Sequence, residues 1–252
     1  MNRPTLFILA HAGGSAPVYQ RVLGGLAERF SVAPLELAGH GCRLAEDLNA
    51  SLEDMLRDLV ALVGRSAAPP TDGQGYFIFG HSLGGLLGFL LADALSSVAA
   101  WGPPEHLLVS SACAPGLHRV KPGLLQLSDA DLWRASADYF GSVHEEATVS
   151  EELRLLFAPI LRADLAAVEN YRPPAFAPLR SRLTLLYAED DIVGLEDLER
   201  WAPFCSETPR VEKRPGGHFH PLTHPAGLEK LILDLADDST SRRDFSSNGS
   251  FR

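Results

Sequence analysis

Tyr76-Phe77-Ile78-Phe79-Gly80-His81-Ser82-Leu83-Gly84-Gly85-Leu86-Leu87-Gly88-Phe89-Leu90-Leu91 is the stretch that decides the fold. Its first four residues are apolar without alternation, which suits a strand covered on both faces of a sheet. Leu83, Leu86, Leu87, Leu90 and Leu91 then recur at helical spacing. Between strand and helix lies Gly80-His81-Ser82-Leu83-Gly84, a G-x-S-x-G sequence. In that setting a tight turn lifts the serine hydroxyl above the sheet edge, where it serves as a nucleophile. The glycines are needed because the turn is strained and the helix passes close to neighbouring strands. Reading the segment as a glycine-rich turn with an incidental serine leaves the two matching flanks unexplained.

On either side, short apolar runs alternate with longer helical patterns, as in a mostly parallel sheet with crossover helices on both faces. Strands are expected at Thr5–Ala10, Val32–Leu37, Tyr76–Phe79, His106–Ser110, Leu183–Tyr187 and, more weakly patterned, Arg210–Arg214. Helices are expected at Tyr19–Arg29, Leu52–Val63, Leu83–Leu95, Leu195–Trp201 and Leu228–Leu235. From about 116 to 173 the strand pattern lapses, and helical patterns at Asp129–Phe140 and Ser150–Glu169 take its place. A helical insertion of that length in an α/β sheet reads as a lid over the site, with plain packing helices as the alternative. The expected organisation is one domain over 1–236 carrying this insertion, then a disordered tail over 237–252, where little is apolar.

Composition narrows the function classes. With 46% hydrophobic and 21% charged residues the chain reads as a soluble globular protein. A net charge of -10 argues against nucleic acid as a partner, because phosphate binding needs a basic surface. Three widely spaced cysteines, Cys42, Cys113 and Cys205, suggest neither a disulfide framework nor a zinc knuckle, so a reducing cytoplasm is expected. The apolar run Thr5–Ala10 is short for a signal peptide and is closed at once by a Gly-Gly turn, which fits a buried first strand. No apolar stretch approaches the roughly 20 residues needed to span a bilayer.

A serine nucleophile needs a base, and the base an orienting carboxylate, in the chain order Ser, acid, His. Only His218, His220 and His224 fall late enough. His218 follows Gly216-Gly217 in a loop after a strand and is preferred over His220, while His224 sits at a helix start before Pro225. A metal site among these histidines lacks a matching second cluster. For the acid, the strand Leu183–Tyr187 runs into Ala188-Glu189-Asp190-Asp191, at the edge where site residues belong. Asp191 is the first choice and Asp190 the second, since Ser110-Ser111-Ala112-Cys113-Ala114-Pro115 offers no carboxylate. The oxyanion hole is expected from the Leu83 amide and from Ala12, in the loop His11-Ala12-Gly13-Gly14-Ser15. That loop is no dinucleotide fingerprint, and no cofactor is expected.

Taken together, His11-Ala12-Gly13-Gly14-Ser15-Ala16, Ala38-Gly39-His40-Gly41-Cys42-Arg43 with Glu46, and Gly80-His81-Ser82-Leu83-Gly84-Gly85 resemble the type II (external, editing) thioesterases of polyketide synthase and nonribosomal peptide synthetase systems. The likeness continues through Leu161-Arg162-Ala163-Asp164, Glu169, Tyr171 and Pro215-Gly216-Gly217-His218-Phe219, spanning about Leu6 to Leu235. It implies an α/β-hydrolase fold and release of acyl groups from the phosphopantetheine arm of acyl or peptidyl carrier proteins. The family's nucleophile, base and acid map to Ser82, His218 and Asp191. The chain departs from the family at Ala188, where a glycine is usual, and at Ile192, where a proline is usual. It also reads Ala38-Gly39-His40 where Pro-Gly-Arg is frequent, and no catalytic role is assigned to that loop. His118-Arg119-Val120-Lys121 is a candidate basic patch for carrier docking. The triad alone fits a carboxylesterase equally well, and a non-catalytic binding protein of the same fold is the reading from another class.

Overall fold

The computed structural model describes residues 3–70, 75–118, 120–141 and 150–248, with side chains described up to residue 240. Six strands, β1 (Thr5–Leu9), β2 (Ser31–Pro34), β3 (Tyr76–His81), β4 (His106–Ser110), β5 (Arg182–Asp190) and β6 (Arg210–Gly217), form one parallel sheet in the order β2-β1-β3-β4-β5-β6. The order reverses between β1 and β3, so a crevice opens at their carboxyl ends. Ligand sites form at such switch points.

Among the described residues the helices are α1 (Ala16–Val22), α2 (Leu52–Ser66), α3 (Leu83–Ser96), α4 (Asp129–Phe140), α5 (Glu151–Asn170), α6 (Leu195–Glu199), α7 (His220–Thr223) and α8 (Pro225–Asn248). They cover both faces. Phe7, Leu9, Ile78, Leu107 and Leu185 turn to a cluster with α2 and α3, while Leu6, Ile8, Phe77, Phe79 and Leu186 turn to α1 and α8. That two-sided burial explains why these strands show no polar alternation. Every residue of α3 from Leu83 to Ala92 is buried, so this helix is apolar all round.

Four expectations change, beginning with the strand expected over Val32–Leu37, which ends at Pro34. The helix expected over Tyr19–Arg29 stops at Val22 and continues as a 3-10 turn over Gly24–Glu28, because Gly24-Gly25 weakens the helix. The helix expected to reach Trp201 ends at Glu199. The segment expected as a disordered tail is helical to Asn248, with residues 249–252 outside the described ones. Distant partners hold its start: Arg29 bonds Asp237 at 3.0 Å, and buried Ser239 meets Arg182. Between β4 and β5 stand α4 and α5, joined to a small cluster of Val120, Leu124, Leu132, Leu161 and Leu165. Residues 142–149, inside the expected lid, lie outside the described ones. No described helix is long and apolar enough to cross a membrane.

Candidate active site

Ser82 sits at the turn between β3 and α3 with φ of 54° and ψ of -117°, a left-handed conformation that costs a non-glycine residue about 1–3 kcal/mol. Its surroundings impose the strain. A Cβ on Gly80 would collide with the Gly84 carbonyl, and one on Gly84 would collide with the Leu9 and Ala10 carbonyls. The G-x-S-x-G pattern is therefore a close-packing requirement as well as a turn.

His218 and Asp191 meet beside this elbow. His218 Nδ1–H donates to Asp191 Oδ1 at 2.8 Å, with the two side chains 3% and 0% exposed. The Val193 N–H donates to the same oxygen at 3.2 Å. Burial alone would raise the Asp191 carboxyl, but the His218 bond and its positive field hold it below the usual carboxylate range. Ser111, itself at φ 53°, lies close enough to add to this effect, although neither Ser111 Oγ nor Asp191 Oδ2 closes a conventional hydrogen bond. With Nδ1 committed to Asp191, His218 Nε2 is left for Ser82. Among the described residues no hydrogen bond yet joins that nitrogen to Ser82 Oγ, a contact that commonly tightens only with substrate bound. The ring lies 5.0 Å from that of His81, which neighbours the serine.

The rival residues go elsewhere. Asp190 is exposed and lies on the β5–β6 ladder opposite Gly217, where the register slips between Ala188 and Asp190. His220 Nε2 pairs with Ser110 Oγ at 2.9 Å, and burial pushes its pKa down to about 4. His224 bonds Thr223 Oγ1 at 2.9 Å just ahead of α8. Among the described residues no group of three or more His, Cys, Asp and Glu side chains could hold a metal ion.

The loop after β1 completes the crevice. The Leu83 and Ala12 amides have no hydrogen-bond partner among the described residues. Both neighbours of this short loop are fastened. Ser15 Oγ and the Ala16 N–H donate to Glu36 at 2.7 and 3.1 Å, and the Gly13 N–H donates to Asp164 Oδ2 on α5 at 2.7 Å. Phe140, at the end of α4, packs 5.2 Å from the His218 ring. Both inserted helices thus reach the crevice. Beneath it, burial holds His11 at a pKa of about 3, neutral, with Nδ1 on the Tyr19 hydroxyl at 2.6 Å.

Sequence reasoning quoted His40 and Asp164 within the family likeness but assigned neither a role, and it did not single out Glu36. His40 Nε2–H donates to Asp164 Oδ2 at 2.9 Å, linking the loop after β2 to α5. The expected docking patch also changes character. Arg119 lies outside the described residues, and both ring nitrogens of His118 are buried. Burial pushes His118 down to about 4, so it carries no charge at neutral pH.

A strained serine between a parallel strand and a buried helix, at a switch point also reached by a histidine–carboxylate pair, defines an α/β-hydrolase. Residues 4–237 match the family described as Thioesterase domain, and the chain belongs to that family. It is 30% identical over 243 residues to "Thioesterase TesA" of Mycobacterium marinum, covering 94% of this chain and 90% of that one. Among solved structures, ClbQ from the colibactin NRPS/PKS pathway superposes with a TM-score of 0.86 at 25% identity, covering 95% of this chain and 99% of its own. The type II thioesterase BorB from the borrelidin biosynthetic cluster gives 0.81 at 29% identity, covering 92% of each chain.

Proposed function

We propose that this chain hydrolyses acyl thioesters held on the phosphopantetheine arm of acyl or peptidyl carrier proteins, in polyketide or nonribosomal peptide biosynthesis. Ser82 is the nucleophile, His218 the general base, Asp191 its orienting carboxylate, and the Leu83 and Ala12 amides the oxyanion hole. The His218 Nδ1–Asp191 Oδ1 hydrogen bond beside the strained serine carries the chemistry. Family membership and the pathways named for ClbQ and BorB support the substrate class.

The steps follow from the atoms. His218 Nε2 takes the Ser82 proton as Oγ attacks the thioester carbonyl. The carbonyl oxygen gathers charge facing the two amides, which act strongly in a site shielded from water. As the tetrahedral centre collapses, the carbon–sulfur bond breaks and the imidazolium protonates the departing thiol. His218 then draws a proton from water, whose oxygen attacks the acyl-serine. The acid leaves and Ser82 recovers its proton. No cofactor enters these steps. The pair α4 and α5 acts as a lid that keeps bulk water out while the acyl-serine forms.

The test compares an acyl-loaded carrier protein, the same acyl group on free pantetheine, and an aryl ester. Faster release from the carrier, abolished in a folded Ser82→Ala variant, supports the reading. Preference for the aryl ester, with no turnover of either thioester, makes the chain an esterase. Unchanged turnover in Ser82→Ala removes the assigned nucleophile.

A further inference from the structure

The loop bearing Ala12 is fastened from outside the sheet. Asp164 is fully buried on α5, and its Oδ2 accepts both the Gly13 N–H at 2.7 Å and His40 Nε2–H at 2.9 Å. The other ring nitrogen of His40, Nδ1, lies 3.0 Å from the Ala38 carbonyl. A carbonyl and a carboxylate oxygen are both acceptors, so both nitrogens of His40 carry hydrogen and the ring is an imidazolium. The ionisable groups facing it are Asp164 from α5, Glu36 from the segment after β2 and neutral His11 from the loop after β1. Burial opposes the charge, but the Asp164 and Ala38 bonds and the Glu36 field outweigh it and raise the imidazole above its ordinary value.

Resting on the acyl-transfer reading above, the geometry points to Asp164 and His40 as positioning residues for the oxyanion hole. The Asp164 carboxylate, steadied by the His40 cation, fixes the Gly13 peptide and thereby aims the Ala12 amide. The same helix shapes this peptide sterically. Gly13 has φ of +70°, and Leu161, one turn before Asp164, lies 3.3 Å from where a Cβ would stand. Ala12 packs against the cluster that holds Leu161 and Leu165. Among the described residues neither Asp164 nor His40 bonds Ser82 or His218, so both act through Gly13. The hole is complete only while α5 is seated, and acyl transfer is thereby confined to the covered site.

Asp164→Asn and His40→Gln test this, read by kcat and KM on an acyl-pantetheine thioester and on an aryl ester. A further readout is affinity for an acyl trifluoromethyl ketone, whose adduct with Ser82 places an oxyanion in the hole. Misplacing one donor lowers kcat by about ten- to a hundredfold, with KM within about threefold. Ketone affinity falls by the same factor. In wild type, kcat declines on the alkaline side as His40 loses its proton, and in Asp164→Asn that decline moves to lower pH. A folded Asp164→Asn enzyme with wild-type kcat and ketone affinity overturns the proposal, as does a kcat loss without loss of ketone affinity. If Asp164→Asn does not fold, His40→Gln decides on the same kcat and ketone readouts. A wild type that cleaves only the aryl ester sinks the thioesterase reading but still tests this one on the ester. A wild type that cleaves neither overturns both.

Discussion

The two sides of the crevice are built differently. The histidine–carboxylate side rests on the sheet: Asp191 follows β5, His218 follows β6, and their hydrogen bond spans adjacent strands. The amide side is a loop pinned by groups from elsewhere, Glu36 behind it and Asp164 above it. Under the proposed mechanism proton transfer is set by the core, whereas the Ala12 half of the oxyanion hole depends on an inserted helix. On that reading the base is oriented at all times, and the Ala12 donor is aimed only while α5 is seated.

The largest effect falls on the residue common to both sides. Ser82→Ala lowers kcat about a millionfold, measured as acyl release from a loaded carrier, while circular dichroism stays unchanged. Asp191→Asn tests the sheet side alone and costs about ten-thousandfold in kcat, since the wrong tautomer of His218 then faces the serine. Leu132→Ala tests the other side, because Leu132 is fully buried in the cluster joining α4 and α5. It removes about 2–5 kcal/mol of packing there. Limited proteolysis then cuts faster between β4 and β5, and kcat falls several-fold while the proton resonance of the His218–Asp191 hydrogen bond stays in place. Should Leu132→Ala damage the His218–Asp191 pair equally, the contrast between the two sides fails.

Acid tests the core against the loop in another way. Burial holds His106 at about 3 and His220 at about 4, whereas both titrate near 6.5 when unfolded. The unfolded chain therefore binds protons the native one refuses, so stability is full above about pH 6.5 and drains away toward pH 4. The depressed Asp191 adds a further loss as pH falls through its folded value, below the ordinary carboxylate range. His40 runs oppositely, adding stability below about 6.5 that is lost as pH rises through its raised value. Melting temperature is expected to drop between pH 7 and pH 5, and His106→Gln to reduce that drop. Asp190→Asn is the smallest change, within about twofold in kcat, because that side chain is exposed and its neighbour holds the histidine.

Much of this was legible in the sequence, and the gaps have physical causes. The strands and the elbow stood out because two-sided burial leaves unbroken apolar runs and close approach leaves glycines. Ser82, His218, Asp191, Ala12 and Leu83 all come to one crevice. The choice between Asp190 and Asp191 stayed open because the register slip at Ala188 breaks the alternation that would assign each to a face. The pairing of His40 with Asp164 escaped because 124 residues separate them. Even so, Leu161-Arg162-Ala163-Asp164 was part of the family likeness, a carboxylate on an otherwise apolar helix face that could have prompted a search for its partner. The helical start of the supposed tail depends on Arg29 and Arg182, which no reading of local polarity reaches.

The buried helix behind the serine has one more consequence. Since α3 is buried from Leu83 to Ala92, its hydrogen-bonded amides from Leu87 to Ala92 should open to deuterium only when the whole molecule unfolds. Those of α4, which meets the body through a small cluster, should exchange by a cheaper local excursion. The protein would then spend part of its life with α4 detached from a body in which Ser82 keeps its strained turn.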